Sequence, residues 1–153
     1  MKTILIGVDG SAASREAIEF GLELAQDHDA EVVFAHVAPP YDLAPLNGFG
    51  LVGAVTHDAT AYDLALLEEA LTAAEQHGVR ARTKLLSGNA VDEIVTYADN
   101  LDADIIIVGS RGHGPLARAL LGSVSKGVLN ESKRPVAVIR DAGGMPPKLA
   151  LAR

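Results

Sequence analysis

Cysteine is absent from this chain of 153 residues. That excludes a disulfide scaffold, a thiol nucleophile and any cysteine-ligated zinc or iron–sulfur centre. Long hydrophobic runs are missing too. None reaches the roughly 18 residues of a membrane-spanning helix. The first residues, Met1 to Ile6, lack the long apolar core and cleavage site of a secretory signal and lead straight into a strand pattern. A cytoplasmic location is the default expectation. Positive charge is in short supply as well. The 13 Lys and Arg face 20 Asp and Glu, for a net charge of −7. Nucleic-acid binders usually carry the opposite sign, so neither nucleic acid nor a membrane is expected as a partner.

What is present fits one globular domain. Hydrophobic residues make up 48% and charged residues 22% of the chain, an ordinary balance for a protein with a packed core. A chain of this length buries roughly 68–70% of its unfolded surface. The charge is uneven. Between residues 105 and 140, six basic residues stand against Glu131 alone. Such a segment in an acidic protein suits a small anionic ligand, although scattered surface charge gives the same count.

The chain alternates between two periods. Apolar β-branched runs at Ile4–Val8, Val32–Val37, Ile105–Val108 and Pro135–Ile139 read as strands. Val79–Leu86 alternates basic with apolar residues, as a half-exposed edge strand does. Between the strands lie helical stripes. The first holds Ala17, Ile18, Leu22 and Ala25, with Ser11 or Ser14 as its cap. The second, over about 57–77, has Leu64, Leu67, Leu71 and Ala74 in register. The third holds Val91, Ile94, Val95 and Ala98, and a last helix is marked by Val124 and Val128. Residues 39–56 show no period, and a structureless stretch of that length is unusual in a compact domain. Residues 1–140 form the domain, and 141–153 read as a loose tail. Strands separated by helices imply a parallel sheet with helices on both faces. Ligands of such a sheet bind past the carboxyl ends of its strands, where the strand order switches.

Past the strand ending at Val108, glycines at 109, 112 and 122 followed by Ser123 spell G-x2-G-x9-G-S/T. Glycines let backbone N–H groups approach an anion with no Cβ in the way. Ser123 supplies a hydroxyl where the last helix begins, and Ser125 lies in the same first turn. A helix N-terminus carries orphan N–H groups and partial positive charge, so it favours phosphate.

With Asp9 closing the first strand, these residues resemble the nucleotide-binding branch of the universal stress protein family. The resemblance covers roughly residues 2–140. It implies an α/β three-layer sandwich of the Rossmann-like, adenine nucleotide alpha hydrolase-like kind, with five parallel strands in the order 3-2-1-4-5. It also implies ATP or a related adenine nucleotide as ligand, with magnesium or manganese left open as companion, and a role in stress physiology. The triphosphate would lie on Gly112, His113, Gly122, Ser123, Val124 and Ser125, with Arg111 beside it. The ribose would sit near Gly109. The adenosine would meet Asp9 and the backbone of Val37, with Gly7 and Val8 completing that end. Asp9 can accept from an adenine amino group or a ribose hydroxyl, hold a divalent cation, or cap the first helix. Two features depart from the family pattern: the tail after Arg140, and Gly127 inside the last helix, where glycine costs about 1 kcal/mol relative to alanine.

Other signals are weaker. Gly48 to Gly53 spells G-x-G-x-x-G but follows no strand. Ser123 to Lys126 spells S-x-x-K without the companion motifs of acyl-enzyme chemistry. The five histidines show no metal-ligand spacing, and His36, within a strand, reads as a satisfied core or edge residue. No catalytic residue stands out. A nucleotide-binding regulatory protein is therefore favoured over an efficient enzyme, with a slow ATPase or phosphotransferase as the alternative. The last strand, apolar on both faces, is expected to be an open edge through which two copies form a homodimer along residues 136–139.

Overall fold

The computed structural model describes the backbone of residues 1–38, 52–111, 121–141 and 150–152, and the side chains of 1–38, 61–111 and 121–141. The elements run β1 (Thr3–Gly7), α1 (Ala12–His28), β2 (Glu31–Ala38), α2 (Val52–His77), β3 (Ala81–Ser87), α3 (Ala90–Leu101), β4 (Ile105–Gly109), α4 (Ser123–Glu131), β5 (Val136–Ile139) and β6 (Ala150–Ala152). The sheet order is β3-β2-β1-β4-β5-β6. The first five strands are parallel, in the expected 3-2-1-4-5 arrangement.

Alternation along the central strands sets the two core layers. Ile4 and Ile6 point to the layer under α1 and α2, with Leu22, Phe34 and Ile107. Leu5 points to the layer under α3 and α4, with Val33, Ile106 and Val128. A strand covered on both faces must be apolar at every position, hence the unbroken run Ile105–Val108. Burial of each of these large side chains contributes ~1.5–3 kcal/mol. The chain moves outward from β1 to β2 and returns to β4 on the other side of β1. The loops leaving β1 and β4 therefore part, and a crevice opens at the carboxyl ends of the strands.

Three expectations change. The second helix begins at Val52, earlier than its apolar stripe suggests, and takes in Gly53. Its buried stripe is also shifted. Leu64, expected inside, is 48% exposed, whereas Asp63 is 5% exposed and lines up with buried Leu66, Leu67, Ala70 and Ala74. The edge expected to be open at Val136–Ile139 is covered, because β6 pairs antiparallel along it, Val136 against Ala152 and Val138 against Ala150. Part of the tail thus forms a strand. Residues 39–51, including Gly48 to Leu51 of the G-x-G-x-x-G string, lie outside the described residues, as do 142–149.

Gly127 also finds its reason. A Cβ there would lie 2.5 Å from a methyl of Val91. The glycine lets α4 sit close on α3, which offsets its poor helix propensity.

The N-terminus of β1 is tied to the turn before β4. Asp104 accepts from the backbone N–H groups of Lys2 at 2.6 Å and Thr3 at 2.9 Å. Those two donors hold its carboxyl below the usual carboxylate range. A depressed folded pKa stabilises above the unfolded pKa, and the contribution is lost as pH falls through the folded value. Asp104→Ala should therefore cost about 1 kcal/mol at neutral pH, a figure held low because the group is exposed. The gap between variant and wild type in urea unfolding should close in acid. A gap independent of pH would contradict the assignment.

Candidate functional site

The crevice encloses about 320 Å³, at the lower end of the roughly 300–1,000 Å³ typical of ligand pockets. Gly7, Val8 and Asp9 reach it from the end of β1, and Val37 from the end of β2. Gly109 and Arg111 come from the end of β4, and Gly122, Ser123, Val124 and Ser125 from the start of α4. One cleft thus collects ten of the residues singled out in the sequence. Gly112 and His113 lie outside the described residues. Sequence reasoning missed Ala90 and Ile94 of α3, which add apolar lining, and also Ser110, Leu121 and His36. Ala90 and Ile94 belong to an ordinary helix stripe, and only the fold turns its first turn toward the crevice.

The start of α4 is bare. Its N-cap is Gly122, which has no side chain to accept from the first turn. The N–H of Gly122 is itself spent on the Ser110 carbonyl at 2.7 Å. Helix geometry leaves the N–H groups of Ser123, Val124 and Ser125 without intrahelical acceptors, and the helix dipole adds partial positive charge. An anion is the natural occupant of such an end.

The two serines of this turn differ. Ser123 is exposed and lines the cleft. Ser125 is 2% exposed. Its hydroxyl lies 3.1 Å from the Ser110 carbonyl and 3.0 Å from that of Gly122. Ser125 therefore pins the turn shut through its side chain.

Gly109 and Gly122 lie close against protein backbone. A Cβ on Gly109 would lie 2.7 Å from the Ala13 carbonyl carbon and the Ser14 nitrogen. The end of β4 is thus pressed on the first turn of α1. Gly122 has an ordinary φ of −64°, and a Cβ there would sit 3.2 Å from the Ser110 oxygen.

A serine network fixes the loop after β1. Ser11 caps α1 by accepting from the Ser14 N–H at 3.1 Å, and its hydroxyl donates to the Arg111 carbonyl at 2.9 Å. That second bond ties the β1 loop to the β4 loop across the cleft. Ser14 accepts from the Asp9 N–H at 3.1 Å, and the Asp9 carboxylate accepts from the Ser11 N–H at 2.9 Å. Asp9 therefore braces the turn ahead of α1 and lines the cleft as well, while the capping falls to Ser11. On the other side of the same peptide, His36 Nδ1 lies 2.6 Å from the Val8 carbonyl. His36 Nε2 lies 2.7 Å from Asp63 of α2. His36 is a satisfied, buried histidine, as the sequence suggested.

Among the described residues, no helix is long and apolar enough to cross a membrane. No cluster of three or more His, Asp or Glu among them is placed to hold a metal ion.

Residues 1–140 match the model of the universal stress protein family. A universal stress protein of Methanocaldococcus jannaschii is 33% identical over 142 residues, covering 91% of this chain and 82% of its own. Among solved structures, the hypothetical protein MJ0577 superposes with a TM-score of 0.80 at 27% identity, over 91% of this chain and 95% of its own. A universal stress protein solved in complex with cAMP superposes with a TM-score of 0.69 at 28% identity, over 92% of this chain and 98% of its own.

Proposed function

This chain belongs to the universal stress protein family, and from that premise we propose that its cleft binds an adenine nucleotide, ATP or a close relative, as a regulatory ligand in the stress response. The observation that carries the reading is the bare N-terminus of α4 facing a cleft whose other end holds Asp9. In this reading the phosphates take the N–H groups of Ser123, Val124 and Ser125 together with the Gly112–His113 segment. The ribose lies by Gly109, and the adenosine between Asp9 and the Val37 backbone. The cAMP complex of a structural neighbour supports a nucleotide in this fold. Magnesium or manganese would arrive with the phosphates rather than wait in a preformed protein cage.

Binding is favoured over turnover. Phosphoryl transfer needs cations around the transferred group and a residue to orient the nucleophile. Among the described lining residues, Arg111 is the one arginine or lysine and Asp9 the one carboxylate. A homodimer along β5 belongs to the same reading, but it requires β6 to leave that edge.

The test is mass analysis of the small molecule that co-purifies, followed by calorimetry with ATP, AMP and cAMP. The chain has no tryptophan, so a bound adenine would raise absorbance near 260 nm visibly. Absence of heat with all three nucleotides would overturn the proposal.

A further inference from the structure

The peptide that presents Asp9 to the cleft is held at both of its polar ends. Its N–H, on Asp9, donates to the Ser14 hydroxyl at 3.1 Å. Its carbonyl, on Val8, faces His36 Nδ1 at 2.6 Å. A carbonyl only accepts, so Nδ1 carries the hydrogen and donates it. That fixes the other nitrogen's task. Nε2 lies 2.7 Å from the Asp63 carboxyl, and a hydrogen bond that short needs a proton on one partner or the other. Both side chains are nearly closed to solvent, at 9% and 7% exposure. The imidazole therefore cannot turn without breaking two buried hydrogen bonds.

The placement is unusual for a core position. Asp63 occupies a slot in the apolar stripe of α2 that leucine would fill, while the neighbouring Leu64 stands in solvent. A buried carboxylate persists where it is hydrogen-bonded. Here its partner reaches the last peptide before Asp9.

We propose that Asp63 and His36 form a positioning relay that aims Asp9 at the nucleoside end of the cleft, with Asp63 holding the imidazole and His36 holding the Val8 carbonyl. The role of Asp9 toward the ligand rests on the nucleotide reading above; the relay itself does not. His36 lines the cleft but is a positioning residue here, since what it holds toward Asp9 is the Val8 carbonyl.

Two amide variants separate positioning from mere burial. The side-chain amide of asparagine falls near the place of Nδ1 and can still donate to the Val8 carbonyl. That of glutamine falls near Nε2, so it can satisfy Asp63 but leaves the carbonyl unheld. Both should lose stability in urea unfolding. In His36→Gln the Asp9 amide resonance should move, its hydrogen exchange should quicken, and ATP and adenosine should both bind about five- to tenfold more weakly, the loss of one oriented hydrogen bond. In His36→Asn the Asp9 amide should return to its wild-type position, and affinity should recover for both ligands. If the two variants behave alike at the Asp9 amide, the relay is wrong and His36 merely fills space. If the amide follows the contrast while wild-type protein binds neither ATP nor adenosine, the relay stands and the nucleotide reading falls.

Discussion

Gly122→Val should abolish triphosphate binding and leave the fold standing. A Cβ at this position would lie 3.2 Å from the Ser110 oxygen and 3.5 Å from the Arg111 Cα. Valine adds two methyl groups beyond that Cβ. They must either break the Gly122–Ser110 hydrogen bond or enter the mouth of the cleft, and both displace the N–H groups that open α4. The φ of −64° suits valine, so the effect comes from space rather than backbone strain. Overpacking of this kind costs ~1–3 kcal/mol, which a domain of this size tolerates when the sheet is untouched. Ser123→Ala is the finer probe. It removes one hydroxyl donor to a charged acceptor, about 1.5–3 kcal/mol, or roughly ten- to hundredfold in ATP affinity. Adenosine has no phosphate and should lose far less from the same change. Calorimetry of both ligands against both variants, with circular dichroism as the check on folding, gives the answer. Equal losses for ATP and adenosine on Ser123→Ala would mean that the glycine-rich segment only shapes the protein.

Removing residues 141–153 should convert the protein to a dimer at concentrations where the full chain is monomeric. β6 lies antiparallel on β5. A second copy brought up by a two-fold axis normal to the sheet would also offer its β5 antiparallel. The tail strand thus occupies the place of a partner strand. Without it, β5 presents a row of unpaired backbone groups flanked by Val136, Val138 and Ile139, with no charge on the strand to discourage pairing. Sedimentation of the full and shortened chains side by side tests this. A shortened chain that stays folded and monomeric at the highest concentration reached would remove β5 as an interface.

The parallel sheet and the place of the cleft were legible in the sequence for a physical reason, whereas the strand order came with the family resemblance. The central strands are apolar at consecutive positions, which only a sheet covered on both faces demands, and the glycine-rich string follows one of them directly. The tail strand was not legible, because Ala150 to Ala152 is too short for any period to show. The register of α2 misled for a different reason. Hydrophobic counting ranks Leu64 above Asp63, and the histidine that meets the acid in the core stands on a strand distant in sequence. Ser125 is set beside the phosphates by the family resemblance, and nothing in the spacing tells what its hydroxyl does. Its hydroxyl bonds to the carbonyl of Gly122 in its own turn and to that of Ser110, and the second comes near only when β4 and α4 have met.

The Ser11–Arg111 hydrogen bond joins residues 100 positions apart, and β1 meets β4 over a similar separation. Contacts of such range form late, because the long intervening loop must close first. Each half of the chain can build its own strand–helix units before that, but neither half owns a complete cleft. A ligand that spans the two loops therefore has affinity only for the finished molecule. At a hundred times its Kd it would add about 2.7 kcal/mol to unfolding. Proteolysis that acts on transiently opened molecules would slow accordingly. The lifetime of the protein in a cell would then follow the supply of that ligand, so abundance itself becomes a readout of what fills the cleft.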